Sequence, residues 1–247
     1  RHRHPPAPRL IRKVTPMASH TYIPILGKRI RVTSLDDCGA VTATSKQLAT
    51  DGFITVSLTS ETEDGNEIIV RNAQGQLCIN EKMANSFKRF TVGITFCGVN
   101  PELLSVTTNA QVYKDYAENP AGFTIPEGEI SGAFALELWT GLSGQACLPG
   151  QVDEASGYVL LPFIVSGILG DLEVGGESEI TFSLTGAYSK GGNAWGTGPY
   201  TVLRNETGVA SKLPTAIDPY DHLLMIDTAL APPPVSNTLT AVTPVTP

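Results

Sequence analysis

Histidine is scarce in this chain: there are four in 247 residues, His2, His4, His20 and His222. A histidine-based nucleophile relay or zinc site in the body would rest on His222 alone, which argues against both. Cysteine is equally thin. Cys38, Cys78, Cys97 and Cys147 are widely spaced and form no CxxC pair, so metal spacing is absent and the expectation is buried thiols kept reduced. No apolar run approaches the ~20 residues that span a bilayer, and the basic start is followed by no continuous apolar stretch of the kind a signal peptide carries. GxSxG does not occur. The strongest glycine cluster, GGNAWGTGPY at 191–200, lacks the Lys-Ser/Thr pair of a phosphate-cradling loop. It reads as a connector that places Trp195 at an interface. With these absences the chain is expected to be no enzyme and to hold no metal or cofactor.

What is plentiful is turn chemistry and two-residue alternation. Glycine (24) and proline (18) are generous, as many short strands require. Residues 22–33 read as a first extended segment broken by Gly27, and 34–51 as a long loop. In FITVSLTSETEDGNEIIVRNAQGQL, Ile54, Val56 and Leu58 are expected on one face, with Thr55, Ser57 and Thr59 on the other. Asp64-Gly65 marks a turn, 67–71 the return strand of a hairpin, and Ala73–Gly75 a second turn. KRFTVGITFC alternates again through Phe90, Val92, Ile94 and Phe96. It leads into Asn100-Pro101-Glu102, an N-cap, a first-turn proline and a dipole-matched acid, which predict a short helix. Phe134, Leu136 and Leu138 point inward from the next strand. Residues 158–163, 179–187 and 222–227 complete a tally of eight to ten strands and one helix. No alternating βα rhythm is present, which excludes a parallel doubly wound sheet.

The organisation expected is a basic proline-rich arm over residues 1–20, a β-rich domain over 21–230 and a Pro/Thr-rich arm over 231–247. Arg1, Arg3, Arg9, Arg12 and Lys13 stand without an acid in the front arm, so the remainder is more acidic than the chain's net −7. An acidic body repels phosphate. Each arm is too short and too proline-punctuated to pack a core, which suits it to lying across a neighbour. Arg9, Arg12 and Lys13 in front, and Pro232, Pro233 and Pro234 behind, are the candidate interface residues.

Four stretches carry a resemblance: TSETEDGNEIIVRNAQGQLC; FKRFTVGITFCGVNPELLSVTTNA; GAFALELWTGLSGQAC with the following YVLLPFIVSGILGDLEVGGESEITFSLTGAYSKGGNAWGTGPY; and DHLLMIDTALAPPP. In order and spacing, over roughly residues 50–235, the chain resembles the major tail protein, or tail tube subunit, of long-tailed bacteriophages of the actinobacteriophage type. The basic segment before Met17 lies outside that pattern. The resemblance implies a β-barrel or sandwich subunit that forms homohexameric rings, stacked into a tube through which DNA passes without specific binding. It further implies partnership with a tape-measure protein and other tail proteins. No membrane is involved; the location implied is the virion tail, after assembly in the host bacterial cytoplasm.

An acidic lumen would let DNA slide, since phosphates meet like charge and release no counterions. Glu61, Glu63, Asp64, Glu67, Glu137 and Glu179 are the candidate lumen or interface acids. The alternative reading is another virion or surface β-protein, a capsid decoration protein or an adhesin-like binding module.

Overall fold

The computed structural model describes residues 24–98, 100–130, 132–142, 155–171, 181–192, 194–236 and 238–243. The elements in chain order begin with β1 (Pro24–Ser34), β2 (Lys46–Thr50), β3 (Phe53–Glu63), β4 (Glu67–Arg71), β5 (Leu77–Lys82) and β6 (Ser86–Phe96). Next come α1 (Pro101–Thr107), β7 (Gln111–Lys114), β8 (Pro120–Thr124), β9 (Ala133–Leu142) and β10 (Ser156–Val165). The last are β11 (Ile168–Leu169), β12 (Phe182–Lys190), β13 (Leu203–Arg204), β14 (Ala210–Ser211), β15 (Leu224–Thr228) and β16 (Thr240–Ala241). The protein is mainly β. One antiparallel sheet follows the path β16-β2-β1-β9-β10-β12-β6-β3, with β11 beside β12 and β15 beside β10. Three two-stranded ribbons, β4–β5, β7–β8 and β13–β14, stand apart from it.

A two-residue step, Asp51-Gly52, joins β2, next to the β16 end of the path, to β3 at the other end, which requires the sheet to curl. At that corner the Phe53 ring lies against Gly27, where a Cβ would come within 2.7 Å of it. Gly27 also sits at a bulge in the β1–β9 ladder, so the break expected there is a register shift inside one strand. Alternate residues then line the concave side: Ile30 and Val32, Val92, Ile94 and Phe96, Phe134 and Leu136, Val159 and Leu161 form one core. Leu103 and Val106 of α1 join the same core.

The helix forms where the sequence predicts it. Asn100 has an extended backbone and its Oδ1 accepts from the amides of Glu102 (2.9 Å) and Leu103 (3.4 Å). Pro101 opens the first turn at no cost, because its missing N–H would have no helical partner.

Strands β1, β9 and β10 are buried on their convex side as well. Ala135, Trp139, Tyr158 and Leu160 pack there against Trp195, Tyr200, Val202, Leu213 and Ile217. Residues 194–217 therefore form a second layer over the sheet. A strand covered on both faces loses the alternation that period-two reading depends on.

Four expectations are corrected. Residues 34–51 are not all loop; they contain β2. Residues 67–71 are not the return strand of β3, which pairs with β6; β4 pairs with β5 in a ribbon of their own. Ile54 does not share a face with Val56 and Leu58, because a bulge between Phe53 and Thr55 turns Ile54 outward and puts Phe53 inward. The rear arm does not lack something to bury at home. Its described residues run along β2, where Thr240 pairs Gln47, Ala241 pairs Lys46, and Val242 is buried. The strand tally also rises to sixteen among the described residues, because two-residue pairings such as β11 and β13 leave no periodic trace.

Candidate assembly interface

The ribbon β4–β5 is exposed along its whole length. Cross-strand register places Ile68, Val70 and Ile79 on one face and Ile69 and Leu77 on the other. Ile69 is 50% and Leu77 51% exposed, so neither face is covered within the protomer. Met83 after β5 and Phe87 at the start of β6 are exposed as well. Solvent-facing apolar residues contiguous over a ribbon mark an interaction surface, since a two-stranded hairpin is at best marginally stable alone.

Beside the ribbon, β3 is an edge strand of eleven residues. It bonds to β6 on one side and, among the described residues, to nothing on the other. Unpaired backbone donors and acceptors on such an edge template pairing with another strand.

One turn device is used four times, at the tips of the three ribbons and between β1 and β2. Asp36, Asn72, Asp115 and Asn205 each accept, through Oδ1, the amides two and four residues on. The residue three positions on adopts the left-handed conformation: Gly39 (φ 80°), Gly75 (φ 79°), Glu118 (φ 63°) and Gly208 (φ 81°). Asx side chains that mimic a backbone turn, followed by glycine, stabilise such tips. The second tip carries Tyr116, fully exposed, with Tyr113 also exposed on the ribbon behind it.

The acids selected from the sequence separate by environment. Glu61 accepts from Arg89 Nε at 2.7 Å and from the Thr91 hydroxyl. Those hydrogen bonds, from Thr91 and then Arg89, hold its carboxyl below the usual range. Glu63 and Glu67 are exposed, Glu67 opposite Lys82, and Asp64 accepts from Asn85 Nδ2 at 2.9 Å. These four lie together where β3 passes into the ribbon. Glu137 is not a lumen or surface acid: it is 0% exposed, between the sheet and its second layer. Arg31 holds it with two hydrogen bonds of 2.6 and 2.7 Å, and Tyr158 Oη donates to it at 2.7 Å. The Arg31 guanidinium stacks over Tyr200, whose hydroxyl bonds Thr33 at 2.8 Å. Burial lowers the Arg31 pKa, but the charge and hydrogen bonds of Glu137 outweigh it and leave that pKa raised. Burial, then the Glu137 charge, pushes the Tyr158 phenol well up. Glu179 lies outside the described residues.

Trp195 is not an interface aromatic either: at 5% exposure it is part of the convex core. Arg9, Arg12 and Lys13 lie outside the described residues. Pro232 and Pro233 are half-buried and Pro234 exposed, ahead of the segment on β2. Cys38, Cys78 and Cys97 are exposed rather than buried, and Cys147 lies outside the described residues. His222 Nδ1 lies 2.8 Å from the Ser189 hydroxyl, but that hydroxyl is buried and also accepts the Phe90 amide. Among the described residues no helix is long and apolar enough to cross a membrane.

Sequence reasoning missed the two-faced ribbon and the second layer. The ribbon did leave a signal: EIIVR and LCINEK carry adjacent apolar residues without alternation, at a length too short for a buried helix. The repeated Asp/Asn-x-x-Gly spacing at 36–39, 72–75 and 205–208 was a further signal. No protein-family model matches the chain, and no curated protein matches it in sequence.

Proposed function

We propose that this chain is the structural subunit of a bacteriophage tail tube, working by geometry and without catalysis. In this reading it forms stacked homohexameric rings whose lumen conducts DNA, alongside a tape-measure protein and other tail proteins. The observation that carries the reading is the β4–β5 ribbon, apolar on both faces, beside the unpaired edge of β3. An apolar ribbon suits burial between copies, and a free edge suits strand pairing across a ring, which removes the edge altogether. Among the described candidates, Glu63, Asp64 and Glu67 are the exposed acids available to face a lumen. The resemblance in order and spacing supplies the particular assembly.

Electron microscopy of the purified protein over a concentration series tests it. Rings or hollow tubes are expected; uniform monomers at every concentration overturn it. A second reading, the adhesin-like binding module, is favoured by the exposed Tyr113, Tyr116 and Tyr220. It predicts a stable monomer whose ligand affinity falls when Tyr116 is replaced by Ala.

A further inference from the structure

The rear arm is seated on the sheet by strand addition, and the seat consists of a small set of separable contacts. Ser236 exchanges bonds with Ala49: its amide donates to the Ala49 carbonyl (2.9 Å), and its hydroxyl accepts the Ala49 amide (3.0 Å). The Val242 amide donates to the Ser45 carbonyl (3.0 Å), and the Leu239 amide to Glu102 Oε2 (2.6 Å). Val242 enters the convex core and Leu239 packs on the concave one. Between its anchors at Ser236 and Thr240 the arm does not follow the ladder, since β2 advances only from Ala49 to Gln47 over the same interval. Upstream, Thr228 and Ala229 are buried and fixed in the body, and then Pro232-Pro233-Pro234 forms a spacer. Three prolines favour an extended polyproline conformation of about 3.1 Å per residue and resist folding back as helix or sheet.

We infer that the groove along β2 is an exchangeable socket, occupied in the assembled protein by residues 236 and 238–243 of a neighbouring copy. This inference rests on the self-assembly reading. The occupant is named by the contacts: a second copy's arm makes every bond described above, so exchange preserves them and leaves their sum unchanged. A segment anchored by two bridged pairs and a few side chains opens locally without unfolding the sheet. The stiff spacer then sets where it lands, and residues 230–235 reach roughly 20 Å at full extension. Exchange of one element between identical chains is a low-cost route to assembly. In a polymer, where neighbours are held close, the high effective concentration favours it further.

The test uses the exposed pair Lys46 and Ala241, which face each other across the β2–β16 ladder. One full-length chain carries Lys46→Cys and another Ala241→Cys. They are mixed at high concentration, oxidised and run without reductant, with the parent chain as control for its native cysteines. A disulfide-linked dimer whose cross-linked peptide joins positions 46 and 241 is expected. The double variant Lys46→Cys/Ala241→Cys reports the converse: internal linkage throughout, with no inter-chain product in the mixture, overturns the inference. Tubes without the inter-chain link leave the tail tube reading standing and remove the exchange. The link without tubes does the opposite, and absence of both removes both.

Discussion

Arg31 and Glu137 form a two-pronged ion pair, Nε to Oε2 at 2.6 Å and a terminal guanidinium nitrogen to Oε1 at 2.7 Å, inside the protein between the sheet and its second layer. They face each other across the β1–β9 ladder, so the pair ties the two central strands through side chains as well as backbone. Removing one partner strands a buried charge. Glu137→Ala is therefore expected to cost about 3–5 kcal/mol in urea unfolding. Replacing the whole cluster, Arg31→Met with Glu137→Leu and Tyr158→Phe, removes every group that would be left unsatisfied and is expected to recover most of that loss. A triple variant no more stable than Glu137→Ala would mean that the network does more than satisfy itself.

The ribbon separates assembly from stability. Ile69→Lys with Leu77→Glu charges one of its faces, at residues that are half exposed. Surface changes of this kind are usually within about 0.5 kcal/mol, so the thermal melt is expected to stay put while sedimenting polymer disappears. Polymer formed at the parent's concentration would exclude that face from the interface.

Glu118 is the odd member among the four turn tips, a side-chain-bearing residue where the others have glycine. The left-handed conformation costs an L-residue roughly 1–2 kcal/mol, and the exposed Lys114–Glu118 pair offsets little of it. Glu118→Gly is expected to raise stability by about 0.5 kcal/mol after glycine's own entropy loss. A clear drop in melting temperature would show that the pair with Lys114 outweighs the backbone strain.

Asn100→Ala removes the acceptor for two amides at the start of α1 and is expected to cost about 1 kcal/mol. Asn100→Asp should keep most of the stability, since an aspartate accepts the same bonds. An alanine variant as stable as the parent would mean that the helix is held by Leu103 and Val106 alone.

Legibility in the sequence followed exposure of one face to water. The alternation in β6 and the cap before α1 were readable because solvent or a helix terminus imposed a local rule on residues close together in the chain. Glu137 looked like a surface acid because its partner Arg31 is 106 positions away, and nothing local reports that pairing. Trp195 in a glycine-rich connector looked like interface for the same reason: the sheet face it covers belongs to β9 and β10. The β3–β4 hairpin was misread because Asp64-Gly65 has turn chemistry but makes no turn: the chain runs on from β3 into the ribbon, and the return partner β6 lies beyond it. The rear arm was misjudged because its five prolines and four threonines say nothing about an edge waiting on β2.

His222 supplies a titration that can be separated from the carboxylates. Its Nδ1 lies 2.8 Å from the Ser189 hydroxyl, whose oxygen also accepts the Phe90 amide. Phe87 packs edge-on against the ring, with Asp221 the neighbouring charge. Burial lowers the His222 pKa, and a hydrogen bond to the Ser189 backbone and the Asp221 charge only partly oppose it. The unfolded chain, with a histidine pKa of about 6.5, therefore takes up its proton first as pH falls. Stability from this group is fully present above about 6.5 and is lost as pH falls through the folded value. Glu61, also lowered in the fold, loses its contribution in a more acidic window, below an unfolded value of about 4.3. Urea midpoints measured in small pH steps are thus expected to decline first just below 6.5 in the parent chain. In His222→Gln they should stay level until the carboxylate window. Parallel profiles for the two proteins down to that window would show that the imidazole titrates alike in the folded and unfolded chain.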